Sequence, residues 1–200
     1  MARRLTRAFY ARDPRELAPE LLNKVLVHDE PGVGRVAVRL VEVEAYLGAT
    51  DPASHAFRGK TERNATMFGP PGRLYVYFTY GMHWCANVAA GSPPGEAGAV
   101  LMRAGEPLEG LELIRVRRGA ARRERELCAG PARLAQALGL GRAHDGASLL
   151  RGPIGICDDG VAPPARPGRS PRVGLGAGRG ERARLRWYVQ ASPWVSGPRV

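Results

Sequence analysis

The chain has 200 residues, which is within the usual size of one domain and long enough to bury a hydrophobic core without disulfides or metals. Its formal net charge is +11 at pH 7, and this surplus indicates a polyanionic partner, with nucleic acid as the leading candidate. No run approaches the ~20 apolar residues that cross a bilayer, and the N-terminus lacks the apolar stretch of a secretory signal.

These features predict a soluble intracellular protein with no membrane partner, cytoplasmic and nucleoid-associated in a prokaryote or nuclear in a eukaryote. The charge has a second explanation, because the chain holds only two lysines and its many arginines can reflect genomic base composition. Charge alone therefore does not identify the partner.

The first predicted elements in chain order are a helix and two strands. Asp13 is a good N-cap residue, with Glu16 three positions on, and Pro19 can open a further short helical turn. A strand follows from Val25 to His28. The segment RVAVRLVEVEAY is rich in β-branched residues and predicts a long strand from Arg35 to about Tyr46.

Two carboxylates lie on this long strand. Side chains alternate between the two faces of a strand, so one face is predicted to carry both acids. Its members are Glu42, Glu44, Tyr46, Val36, Val38 and Leu40, whereas Val41 and Val43 point to the other face. A carboxylate on an apolar face is costly to remove from water unless it is paired or used. The pattern allows two interpretations, a salt bridge to an arginine or a general base for hydrolysis.

A hairpin, a strand and two helices are predicted in the middle of the chain. Two aromatic strands flank residues 79–81, Thr-Tyr-Gly, which predict a hairpin tip with glycine at the turn. A strand is predicted over residues 99–103 and a helix from Pro107 to about Arg117. A second helix is predicted over residues 130–138, ending at Gly139.

The last part of the chain changes in composition. Residues 158–184 are rich in Gly, Pro and Arg and show little periodicity, which is typical of a linker or a tail. A strand-like segment, LRWYVQ, follows and would bury Trp187 and Val189, so we expect a long surface loop instead. The prediction is one domain over residues 1–200, with residues 1–8 as a flexible arm.

The cysteines give no sign of a disulfide framework or a zinc site. Cys85, Cys128 and Cys157 are widely spaced and form no CxxC pair, so we expect buried small hydrophobic residues. His83 and Cys85 could place two ligands on one strand face. The chain has no recognisable metal or nucleotide motif, however, and we expect no metal and no cofactor.

Aromatic residues accompany the carboxylates, among them Tyr46, His55, Tyr77 and Tyr80. Taken singly, each is more typical of a core or a surface. Beside an acid in a basic protein, they favour an enzyme that extrudes a base from duplex DNA and reads it by stacking. Two alternatives remain, a noncatalytic basic module that binds nucleic acid and another hydrolase or transferase that uses the same acid.

The following stretches occur in order along the chain: VEVEAYLG (41–48), His55, MFGPPGRLYVYFTYGMHWCANV (67–88), VLMRAGEPLEG (100–110), ELCAGPARLAQALGL (126–140), RVGLG (172–176) and SPWVS (192–196). Together they resemble the alkyladenine DNA glycosylase family, also called 3-methyladenine or N-methylpurine DNA glycosylases. The resemblance implies a single compact α+β domain with a central curved, largely antiparallel sheet and peripheral helices. That fold is akin to the C-terminal domain of methionyl-tRNA formyltransferase.

The resemblance also implies the reaction. Glu44 matches the general base for the attacking water, Arg103 matches the arginine that positions this water, and Glu42 is then a neighbouring structural acid. The expected enzyme is a monofunctional DNA glycosylase of base excision repair that leaves an abasic site. Its expected substrates are alkylated or deaminated purines such as 3-methyladenine and 7-methylguanine, with hypoxanthine and ethenoadenine as further candidates.

Further residues match the substrate and DNA contacts of the family. Tyr46, His55 and Tyr77 match the walls that stack on the flipped base, and Asn87 matches the residue that crowds the amino group of normal guanine. Tyr80 matches the side chain that wedges into the minor groove, with Met82 beside it. Candidates for phosphate contacts are Arg58, Lys60 and Arg63, in a loop one residue shorter than the family pattern.

We expect no lyase activity. A Schiff base needs an amine nucleophile, and only Lys24, Lys60 and the N-terminus could supply one. The family implies a monomer that binds damaged double-stranded DNA without an obligate protein partner.

Overall fold

The computed structural model describes residues 2–91 and 97–198, and the strands in this part of the chain join into one curled antiparallel sheet. They are β1 (Arg3–Arg4), β2 (Val25–Glu30), β3 (Gly34–Tyr46), β4 (Leu74–Thr79), β5 (His83–Ala90), β6 (Gly98–Glu109), β7 (Ile154–Asp158), β8 (Gly168–Ser170) and β9 (Arg186–Tyr188). The order across the sheet is β1-β7-β2-β3-β6-β5-β4, while β9 pairs with both β3 and β8. The long strands β3 and β6 are therefore central.

Short helices cover the main core of the sheet. The described α-helices are α1 (Arg7–Tyr10), α2 (Pro14–Leu21), α3 (Leu111–Arg117) and α4 (Pro131–Ala137), and 3-10 turns occur at Gly48–Thr50, Ala65–Phe68, Glu124–Glu126 and Arg142–His144. Helix α2 packs on β3 and β6, and α4 packs on β5 and β6. Leu17 and Leu134 from these helices meet Val43 and Met102 from the sheet in one hydrophobic core. The predicted α+β fold is confirmed.

The local signals in the sequence locate several elements correctly. The Asp13 carboxylate accepts the Arg15 backbone N–H at 2.7 Å and caps α2, as predicted, although Pro19 lies inside this helix and opens no separate turn. At the predicted hairpin tip, Tyr80 and Gly81 have φ of 51° and 67°. Positive φ at both central residues is the geometry of a type I′ turn.

Three register shifts interrupt the pairing of β3 with β6, and two of them lie beside the acids. The pairing advances from Leu40 to Glu42 on β3 while it advances by one residue on β6, so Val41 is an extra residue. One step later, Arg103 is the extra residue on β6. Each extra residue shifts the alternation of side chains by one position. The bulges therefore decide which face of the sheet receives the acids.

The prediction of the face of β3 is wrong in this respect. Val36, Val38 and Leu40 point into the main core together with Val43 and Ala45, whereas Val41 belongs to a separate cluster beside β9. Glu42, Glu44 and Tyr46 thus lie on the face opposite to Val36, Val38 and Leu40. The bulge at Val41 reverses the phase of the strand and turns both carboxylates away from the main core.

The helix predicted from Pro107 begins later. Residues 107–109 still belong to β6, and Val38 pairs with Pro107 next to an irregularity in the ladder. Proline has no N–H for a ladder hydrogen bond, and such an irregularity tolerates it. Helix α3 starts only after Gly110, whose φ is 73°. An added Cβ there would lie 2.3 Å from the Arg35 carbonyl oxygen, so the chain needs glycine to turn.

Two segments expected to be irregular contain ordered structure. Within the described residues 2–8, Arg3 and Arg4 pair with β7, so this part of the chain is not a flexible arm. Within residues 158–184, β8 pairs with β9, and Arg172 is buried. Apart from Arg172, residues 171–184 are irregular and exposed or partly exposed, as expected for a surface loop. None of the helices in residues 2–91 and 97–198 is long and apolar enough to cross a membrane.

Candidate active site

Glu42 is a fully buried acid whose oxygens are saturated by donors. Its Oε1 accepts hydrogen bonds from the Nε atoms of Arg103 and Arg186, both at 2.7 Å, and its Oε2 accepts the backbone N–H of Ser196 at 2.6 Å. Burial raises the pKa of Glu42, but the charges of Arg103 and Arg186 outweigh it and leave the pKa below its ordinary value. The salt-bridge interpretation therefore holds for Glu42.

Glu44 is equally buried but meets a different set of groups. Its Oε1 accepts the backbone N–H of Val173 at 2.7 Å and lies 3.3 Å from Nη1 of Arg103. Its Oε2 accepts the hydroxyl of Tyr46 at 3.0 Å. Arg103 bridges the two acids, and their charges raise its pKa although burial lowers it. The guanidinium ion is therefore held between two carboxylates.

A pocket of about 380 Å³ opens beside this pair, and Tyr46 and Arg103 line it. The other sequence-predicted residues that line it are His55, Tyr77, Asn87 and Tyr80. Glu44 lies behind these lining residues. It contacts two of them, Tyr46 and Arg103. Six of the predicted residues thus surround one cavity although they come from four separate stretches of the chain.

Aromatic rings form one part of the pocket wall. The rings of His55 and Tyr77 lie 4.5 Å apart between centroids and meet edge to face at 80°. The His55 Nδ1 atom is 2.9 Å from the hydroxyl of Tyr75, and the Asn87 amide donates to the Tyr75 carbonyl at 3.1 Å. Burial, and then the charge of Arg63, lowers the pKa of His55, so its ring is neutral at pH 7. The wall therefore presents uncharged rings.

The hairpin tip forms the rim of the pocket and stands out into solvent. Tyr80 is 84% exposed and Met82 is 68% exposed. Large hydrophobic side chains at such exposure are typical of a contact surface. Tyr80 thus lies at the predicted hairpin tip, between the pocket and solvent.

The three predicted phosphate contacts differ in the structure. Arg63 donates to the Phe78 carbonyl at 3.0 Å and lies 5.7 Å from the ring of Tyr77, so it fastens its loop to the hairpin. Arg58 and Lys60 are exposed and make no ion pair within the described part of the chain. These two side chains are free to meet a phosphate.

Arg172 and its partner Asp51 are not among the residues predicted from the sequence. Their side chains form a bidentate ion pair, with Nη1 to Oδ2 at 2.5 Å and Nη2 to Oδ1 at 2.8 Å, and both are buried. Arg172 also lies 4.7 Å from the centroid of the Tyr46 ring. The only signal for Arg172 is its place in RVGLG, inside a Gly- and Pro-rich stretch that suggests a surface loop. Among the described residues, no group of three or more His, Cys, Asp and Glu side chains could hold a metal ion.

Comparisons with known proteins show what the chain is similar to. The model of the Methylpurine-DNA glycosylase family matches residues 8–193. A Burkholderia lata protein named "Putative 3-methyladenine DNA glycosylase" is 54% identical over 196 residues, which cover 97% of this chain and 91% of the relative. Relatives with the same name in Streptomyces avermitilis and Chlorobaculum tepidum are 49% and 48% identical, covering 96% and 97% of this chain and 90% and 91% of their own.

The Glu42 cluster leads to a stability prediction. Glu42→Gln leaves the buried Arg186 guanidinium without its carboxylate and removes one of the two carboxylates that Arg103 contacts, so the free energy of unfolding at pH 7 should fall by about 3–5 kcal/mol. Because the folded pKa of Glu42 is lowered, its contribution is present above its ordinary value of 4.5 and is lost as pH falls through the folded pKa. Urea unfolding of both proteins should therefore give curves that converge in acid.

The control for this prediction is Glu112→Gln. Glu112 is exposed and pairs with Arg115 on the surface of α3, so its loss should change stability by less than about 0.5 kcal/mol. Equal stability of the two variants at pH 7 would contradict the structural role of Glu42.

Proposed function

Because the chain belongs to the Methylpurine-DNA glycosylase family, we propose that it flips a damaged purine out of duplex DNA and hydrolyses its N-glycosidic bond with water that Glu44 activates. The coarser statement is established: the chain is a DNA glycosylase, a hydrolase of DNA repair that acts on DNA. One observation carries the finer proposal. A buried carboxylate lies behind an aromatic pocket whose rim is an exposed hairpin tip.

The first proposed step is extrusion of the nucleotide. An enzyme that acts on a paired base must remove it from the stack, at a cost of a few kcal/mol that is smallest for a damaged base. Tyr80 is exposed at the pocket rim and would fill the gap that the flipped base leaves, with Met82 beside it. Arg58 and Lys60 would hold the phosphates.

The second proposed step is recognition of the base between Tyr46, Tyr77 and His55. Purines alkylated at a ring nitrogen, such as 3-methyladenine and 7-methylguanine, carry positive charge, and aromatic faces attract cations. The neutral ring of His55 would not repel such a base. Asn87 is buried in the same wall and would crowd the amino group of normal guanine.

The third proposed step is hydrolysis. Arg103 orients a water molecule, Glu44 takes its proton, and the oxygen forms a bond to C1′ of the sugar. The electron pair of the C1′–N bond leaves with the purine. Cationic purines depart readily, whereas hypoxanthine or ethenoadenine would need more help. We propose that the chain acts as a monomer, as the family resemblance implies.

The enzyme is proposed to be monofunctional. The Lys24 ammonium is buried and pairs with Asp158 at 2.9 Å, and Lys60 is exposed on a loop. Neither lysine lines the pocket, and the N-terminal amine lies outside the described residues. Borohydride treatment during turnover should therefore trap no covalent protein–DNA adduct, which gel electrophoresis can check. A trapped adduct would establish an amine nucleophile and refute this part of the proposal.

The central prediction concerns Glu44. In the presence of EDTA, the wild-type protein should make DNA that contains ethenoadenine or hypoxanthine, or methylated DNA, sensitive to cleavage by alkali. Glu44→Gln should slow this excision by about 10²–10⁴-fold. Binding to the lesion duplex should persist, because the amide keeps the shape of the acid but accepts no proton.

Glu62→Gln is the matched control, since Glu62 is an exposed carboxylate on the neighbouring loop. It should excise at the wild-type rate. Turnover by Glu44→Gln would refute the mechanism, and binding by the wild-type protein without any base release would favour a noncatalytic DNA-binding module.

A further prediction concerns the wedge. Tyr80→Ser should weaken binding to a lesion duplex by about 10-fold, equivalent to about 1.4 kcal/mol, because nothing then fills the gap in the stack. Excision from single strands should change less, since no gap forms there. Tyr80→Phe keeps the ring and should behave as wild type. Equal losses on duplex and single strands would be inconsistent with a wedge.

A further inference from the structure

The Arg172–Asp51 ion pair joins three segments that surround the pocket. Arg172 lies after β8, and Asp51 lies in the loop that leads to His55. Besides its two bonds to Asp51, Arg172 donates to the carbonyl of Ala45 on β3 at 3.0 Å. Asp51 in turn accepts the backbone N–H groups of Leu47 and Ala53, both at 3.1 Å. The pair therefore fixes the two loops against the end of β3.

Two contacts lead from this pair to the reacting groups. The Arg172 guanidinium lies over the ring of Tyr46, 4.7 Å from its centroid. The next residue, Val173, donates its backbone N–H to Oε1 of Glu44 at 2.7 Å. A shift of Arg172 would thus change the plane of the Tyr46 wall and remove a donor from Glu44 at the same time.

The burial of the pair is difficult to explain by stability alone. Its side chains are 0% and 3% exposed. The free-energy cost of removing two charges from water commonly offsets the attraction between them. Packed apolar side chains would hold the same loops equally well. The two parallel hydrogen bonds do something that apolar packing does not, since they fix the plane and direction of the guanidinium.

We propose that Arg172 and Asp51 are positioning residues for base excision, which set the ring plane of Tyr46 and the backbone donor on Glu44. This inference rests on the proposed function, because it assigns work to the same pocket. The pair touches no substrate and acts through Tyr46 and Val173. Small misplacements of reacting groups can slow an enzyme by about 10²-fold, which is the size of effect expected here.

The test separates geometry from stability. Arg172→Met alone leaves the buried Asp51 carboxylate without its partner. It is therefore compared with the double variant Arg172→Met, Asp51→Asn, which leaves no buried charge at this place. The double variant should unfold near the wild-type temperature but excise ethenoadenine about 100-fold more slowly in single turnover. Its affinity for a duplex with a tetrahydrofuran abasic analogue should stay within about 3-fold of wild type, because Tyr80 is unchanged. Arg172→Lys should recover part of the rate, since lysine keeps the charge but not the fork.

The chain offers a matched control in Arg39 and Asp159. They form a similar two-bond ion pair, at 3.2 and 2.7 Å, but make none of these contacts with the pocket. Arg39→Met with Asp159→Asn should excise at the wild-type rate. A double Arg172/Asp51 variant that folds and excises normally would overturn the inference. So would a rate that follows only the fraction of folded protein.

The same assay distinguishes this failure from failure of the proposed function. If wild type excises and Glu44→Gln does not, the proposed function stands whatever Arg172 does. If wild type releases no base, the proposed function fails first, and the inference fails with it.

Discussion

The structure depends on a group of buried charged side chains beside β3. Each of them needs a partner of opposite charge. An isolated charge in a protein interior costs several kcal/mol, so each acid needs donors in fixed places. Glu42 and Glu44 obtain them from Arg103 on the neighbouring strand and from residues more than 120 positions later, including Val173 and Arg186. The last third of the chain, despite its Gly- and Pro-rich composition, therefore completes a site that begins on β3.

Local signals in the sequence predict the elements whose causes are local. The Asp13 cap, the turn at Gly81 and the long β3 strand each follow from a few adjacent residues, and the structure confirms them. The face of the sheet on which Glu44 lies does not follow from adjacent residues in this way. It depends on extra residues at Val41 and Arg103, which exist only because two strands 60 residues apart pair in one particular register. Alternation along one strand contains no information about that register.

The candidate site shows the same division. A carboxylate on an apolar strand is visible in the sequence, and the family resemblance gathers distant aromatic residues around it, as the pocket does. Arg172 was missed because its partner lies 121 positions earlier and its neighbours suggest an exposed loop. The composition of a segment indicates only how such segments behave on average. The burial of Arg172 depends on one aspartate that is distant in the sequence and that the fold brings close.

The charges of the site also bear on how a carboxylate can lie close to DNA. Three acids, Glu42, Glu44 and Asp51, are matched by three buried arginines, Arg103, Arg172 and Arg186. This cluster carries no net charge, so the whole surplus of +11 lies on other residues and remains available for phosphates. An unmatched carboxylate would repel the polyanion that must approach it. Pairing these three acids with arginines therefore lets the surface around the proposed base, Glu44, attract DNA.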